Sequence, residues 1–138
     1  MIEQMDEPPT IVVTGDRNWT DRASIVRVVE NLLAHTMVIH GGAKGLDTLF
    51  GEIARSYSFA VVTIEAQWER YGRAAGPIRN EKMLREWPSH VHAFHDDLKK
   101  SKGTKHCVNK ALELGLAVTL HTTGGFPVML NLDWEKQL

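Results

Sequence analysis

The sequence predicts an α/β fold, a parallel sheet of about five strands flanked by helices in a single domain. Three observations predict it. Short apolar, β-branched runs such as Ile11-Val12-Val13-Thr14 recur along the chain, as expected of strands buried on both faces. Stretches with apolar residues at helical spacing alternate with them. The 138 residues leave room for one hydrophobic core and no second.

Residues 1–9 are acidic and proline-bearing and read as a flexible leader. Their lack of an apolar segment excludes a signal peptide as the reading. Ile11 to Thr14 is the first strand. Thr20 or Asp21 can cap a helix carrying Ile25, Val28, Val29, Leu32 and Leu33 on one face. Met37 to His40 is the second strand, and Leu46, Leu49, Phe50, Ile53 and Ala54 mark the second helix. Phe59 to Glu65 is a third strand. Ala66 to Pro77 has no clear period; Ile78 to Trp87 then resumes as a helix stopped by Pro88. His90 to His95 is a fourth strand. A helix starts at Gly103 or Thr104 and closes at Gly115, and Leu116 to His121 is a fifth strand. Val128-Met129-Leu130 could be an edge strand or a packing arm. The domain therefore runs over 10–122, with a tail over 123–138 that packs on it or extends it.

The net charge of −1 gives no basis for non-specific binding to nucleic acid. The basic run Lys99-Lys100-Ser101-Lys102 lies next to Asp96 and Asp97 and reads as a solvated loop. One cysteine, Cys107, excludes an internal disulfide, fits a reducing compartment, and reads as a small buried residue. No stretch approaches the roughly 20 apolar residues that span a membrane. A cytoplasmic setting is expected, that of the host if the chain is phage-encoded. The seven histidines show neither an HExxH nor a CxxC pattern, and no metal site is expected.

Three glycine-bearing loops leave the carboxyl ends of strands, where open α/β sheets bind ligands. Gly15-Asp16-Arg17 offers a turn, a carboxylate for a ribose hydroxyl or for restraining Arg17, and a guanidinium suited to phosphate. Gly41-Gly42-Ala43-Lys44-Gly45-Leu46-Asp47 leaves bare backbone at a helix start, as phosphate cradles do. Its spacing is neither a Walker loop nor a dinucleotide fingerprint. Asp47 either complements the helix dipole or faces a ligand. Gly76-Pro77 suits a helix start and puts Arg79 and Asn80 in the first turn. Trp68 and Tyr71 could stack on a base or cover the sheet edge. Gly103 and Thr104 form the third loop.

Together these segments resemble a known family. Gly-Asp-Arg-x-Trp-x-Asp over 15–21, Gly-Gly-Ala-Lys-Gly-Leu-Asp over 41–47, Trp68, Ala-Gly-Pro-Ile-Arg-Asn-Glu-Lys-Met over 75–83 and Gly103-Thr104 look like the YspA-like family of the SLOG superfamily. That superfamily of Rossmann-like folds also holds the LOG phosphoribohydrolases and the DprA/Smf proteins. The resemblance implies a nucleotide-ligand pocket, and some relatives sit in phage-conflict systems. Arg79 and Met83 match the LOG Arg-Lys-x-x-Met-like segment, and Gly103 and Thr104 match part of its Pro-Gly-Gly-x-Gly-Thr-x-x-Glu. The glutamate of that motif falls on Cys107, which cannot act as a carboxylate.

The expected function is binding, as sensor or sequestering module, of a nucleotide or nucleotide-derived ligand bearing phosphate. The alternative is a LOG-like N-glycoside hydrolase acting on nucleoside 5′-monophosphates, with Asp16, Asp47 or Glu81 supplying the carboxylate. The expected ligand contacts are Gly15, Asp16, Arg17, Gly41, Gly42, Ala43, Gly45, Asp47, Trp68, Gly76, Pro77, Arg79, Asn80, Gly103 and Thr104. No cofactor, nucleic acid or membrane partner is expected; a homo-oligomer, dimer or higher, is.

Overall fold

The computed structural model describes residues 7–138. Residues 1–6 of the expected leader lie outside them, and the Pro9 carbonyl already accepts the Met37 N–H at 2.8 Å. Strands β1 (Thr10–Gly15), β2 (Met37–His40), β3 (Ala60–Thr63), β4 (His90–Phe94) and β5 (Val118–His121) pair in parallel, and β6 (Val128–Met129) adds an antiparallel edge. The sheet order is β3-β2-β1-β4-β5-β6. Successive crossovers run outward from β1 in one direction and from β4 in the other. The topological switch point, where a crevice opens, is therefore between β1 and β4.

Period-two alternation sorts the core into two layers. Val12, Ile39, Val91 and Leu120 face one side with Met83, Leu84, Val108 and Ala111 of helices α4 (Ala75–Leu84) and α5 (Gly103–Glu113). Ile11, Val13, Val38 and Phe94 face the other with Ile25, Val29, Phe50 and Ile53 of α1 (Arg22–Glu30) and α2 (Leu46–Ser56).

Several boundaries differ from expectation for local reasons. α1 stops at Glu30, so Leu33, read as part of the apolar stripe, is 71% exposed. β3 pairs only over Ala60–Thr63, because it is an edge strand with one neighbour. The aperiodic stretch contains a one-turn helix α3 (Trp68–Tyr71) and a 3-10 turn over Gly72–Ala74. α4 starts three residues earlier than expected, at Ala75, with Pro77 in the first turn where its missing N–H costs nothing. It ends at Leu84; Trp87 follows with φ 50°, in the left-handed region. α5 closes as expected at Gly115, φ 78°, whose N–H donates to Leu112 while Leu116 donates to Ala111. A short α6 (Trp134–Gln137) lies on α5, with the Trp134 Nε1–H donating to Asn109 Oδ1 at 2.7 Å. No described helix is long and apolar enough to cross a membrane.

Candidate functional site

The carboxyl ends of the strands open into one cleft of about 1300 Å³. Gly15, Asp16, Arg17, Gly41, Gly42, Ala43, Asp47, Trp68, Gly76, Pro77, Arg79, Asn80, Gly103 and Thr104 all line it. Gly45 and Glu81 do not. Gly45, φ 75°, sits where the first two glycine loops touch, and a Cβ there would collide with the backbone of Asp16 and Arg17. Its neighbour Leu46 donates its N–H to the Asp16 carbonyl at 3.0 Å, so these two loops form one unit.

The second loop satisfies its own amides. Asp47 is 6% exposed, and its Oδ2 accepts the N–H of Gly41 at 3.1 Å and of Ala43 at 3.2 Å. The Gly42 N–H donates to His40 Nδ1 at 2.9 Å. That bond puts the His40 ring proton on Nε2, which faces Thr63 Oγ1 at 3.5 Å. Burial, with Arg55 and Arg79 nearby, holds His40 neutral with its pKa down at about 4. Burial pushes Asp47 up to about 6 against the opposing pull of the Ala43 amide, the Arg79 charge and the Gly41 amide.

Arg79 and Asn80 latch the second and third loops. Arg79 Nη1 donates to the Gly41 carbonyl at 2.6 Å, and Nε donates to Asn80 Oδ1 at 3.0 Å. Asn80 Nδ2 reaches the Gly103 carbonyl at 3.3 Å and His106 Nδ1 at 3.2 Å. The N–H groups of Gly103 and Thr104, by contrast, meet no protein acceptor among the described residues. Asp16 folds its Oδ1 onto the Asn18 N–H at 2.9 Å, and its Oδ2 lies 4.0 Å from His95 Nε2 across the switch point.

Residues 9–71 match the family described as YAcAr: YspA, cpYpsA-related SLOG family, and the match takes in the first two glycine loops and Trp68. Over 117 residues the chain is 31% identical to the gene 61 protein of Mycobacterium phage D29, covering 78% of this chain and 92% of that protein. The chain belongs to the SLOG family. This is a nucleotide-associated family.

In this SLOG protein, sequence reasoning missed Lys44, Glu65, Arg73, His95, Ser101, Lys102 and His106, which also line the cleft. Ser101 and Lys102 were read as part of a solvated loop, and Glu65 and His95 as the last residues of strands; β3 and β4 end before them, at Thr63 and Phe94. Arg73 carries no local signal. Cys107 is fully buried, and burial pushes its thiol up to about 12. Among the described residues no group of His, Cys, Asp and Glu is arranged to hold a metal ion.

Proposed function

We propose that the protein binds a nucleotide or nucleotide-derived ligand through its phosphate at the carboxyl edge of the sheet, as a sensor or sequestering module. One observation carries the reading: the starts of α2, α4 and α5 and the ends of β1, β2 and β4 converge on a single large cleft. Its rim includes Arg17, Lys44, Arg73, Arg79 and Lys102, a cationic surplus over Asp16, Asp47 and Glu65 in a chain of net charge −1. The free amides of Gly103 and Thr104 open a helix at this rim, which favours a phosphate there. Trp68, 60% exposed, presents a ring at the cleft margin on which a base can stack. Binding is favoured over turnover because the buried, protonated thiol of Cys107 stands where the similar hydrolases place their carboxylate.

Calorimetric titration with AMP and adenosine tests the reading. AMP is expected to bind and adenosine to bind at least about tenfold more weakly, the scale of a charge-assisted phosphate contact. Equal affinities, or no binding of AMP, would overturn it. Arg79→Ala is expected to weaken AMP by about 1–3 kcal/mol, through loss of the guanidinium and of its hold on the Gly41 carbonyl. Unchanged affinity removes Arg79 from the site.

A further inference from the structure

The amides that a bare glycine loop would offer to an anion already have acceptors within the protein. Asp47 reaches back from the first turn of α2, and one oxygen of its carboxylate takes both the Gly41 and the Ala43 N–H. The carboxylate does for these amides what a phosphate oxygen would do. It is nevertheless almost wholly enclosed, and it lines the cleft into which a second anion would come. Two anions cannot share these amides at close range while both stay ionised.

We propose that Asp47 is the proton partner of anion binding: its carboxylate is the loop's built-in anion, and a phosphate-bearing ligand enters with uptake of one solvent proton on that carboxylate. This rests on the phosphate-binding reading above. Three titratable or charged groups bear on the carboxylate or on the loop it holds. Arg79 from α4 supports its ionised form. The Cys107 thiol from α5 stays protonated. His40 from β2 stays neutral and holds the intervening Gly42 amide. None of these three is poised to take the proton. Asp47 is, since burial places its titration at about 6, within reach of neutral pH. Asp16, Glu65, His95 and His106 also line the cleft and must be separated from Asp47 experimentally.

Inorganic sulfate is the probe of choice because it remains a dianion throughout the range of interest. Carbon-13 NMR would follow the Asp47 carboxyl through a pH titration, with the Gly41 and Ala43 amides followed alongside. Without sulfate, the three are expected to titrate in step. With saturating sulfate, the Asp47 midpoint is expected to rise by about one pH unit or more. Sulfate affinity is expected to tighten roughly tenfold or more between about pH 7.5 and 5.5, in line with the growing protonated fraction. Asp47→Asn is expected to bind sulfate with most of that pH dependence gone. A midpoint that does not move on binding would overturn the proposal. So would an Asp47→Asn protein that keeps the full dependence, which would assign it to other groups of the cleft. Either result leaves the binding reading standing; failure of both sulfate and AMP to bind at any pH brings down that reading and the proposal with it.

Discussion

Gly103→Val is expected to leave the fold intact and to reduce AMP affinity by roughly 100-fold or more, since a branched side chain covers the amides that face the phosphate. Gly103 opens α5, and a Cβ built there meets no atom within 4 Å. Its backbone needs no left-handed conformation, so replacement costs nothing in strain. Gly45→Ala is expected to do the reverse. With φ at 75° and the Asp16 and Arg17 backbone in the way of any Cβ, it should lose about 2–4 kcal/mol of stability. Gly42 is unsuited to this comparison: a Cβ there, also at φ 75°, would meet Thr63 Cγ2 at 2.9 Å, so a side chain strikes protein before it reaches a ligand. Urea melts and AMP calorimetry on the two variants check the pair. A Gly103→Val protein that binds AMP normally would move the phosphate away from α5.

The same contrast explains how much of the site could be read from the chain. The strand Met37–His40 was legible because Met37, Val38 and Ile39 form an apolar run before a glycine turn, and His90–Phe94 because Val91, Ala93 and Phe94 give the segment an apolar bias. The three glycine loops were legible as strand exits, and the alternating order of elements brings such exits to one edge. What each glycine does there was not legible. Gly45 reads like its neighbours in a small-residue run, yet its contact is with Asp16 and Arg17, residues that only the folded sheet brings to it. Asp47 offered a dipole role or a ligand role, and the structure gives it a third one, binding the amides of its own loop. Arg79 and Asn80 were read as ligand contacts from their place in a helix start. Their bonds to Gly41, Gly103 and His106 link residues 23 to 38 positions apart, beyond any local pattern. Trp134 escaped because its helix has only 4 residues, too few to show a period; its anchor is Asn109 on another helix.

The histidines follow the same rule and carry the second large effect. His90 and His92 share a strand face by alternation, but only the β4–β5 register adds His121 beside Phe94. The rings of His90 and His92 stack at 4.5 Å, His92 Nδ1 meets His121 Nε2 at 3.0 Å, and His121 stacks on Phe94 at 4.5 Å. His90 Nε2 also meets Thr119 Oγ1 at 2.6 Å, and His121 Nδ1 is buried without a partner among the described residues. Burial holds His92 down at about 3, reinforced by His90 and His121. Burial also holds His121 down at about 4, reinforced by Arg27 and His90. A base whose folded pKa lies below its unfolded value contributes stability that is fully present above the unfolded value, near 6.5. That stability is lost as pH falls toward the folded value. Asp47 acts in the opposite sense: its pKa is raised on folding, so its burial cost is greatest above about 6 and relaxes as pH falls toward 3.8. Several depressed histidines against one raised carboxyl make the net effect destabilising in acid. Unfolding free energy is expected to fall by about 3 kcal/mol or more between pH 6.5 and 4, the scale set by 1.4 kcal/mol per pH unit for each proton taken up. His92→Gln retains an amide that can meet His121 but removes the most depressed titration in the stack. Its acid limb is expected to be shallower by about one proton, which urea melts from pH 7 to 4 would read directly. Parallel limbs for the two proteins would mean that the histidine stack does not set the acid stability of this fold.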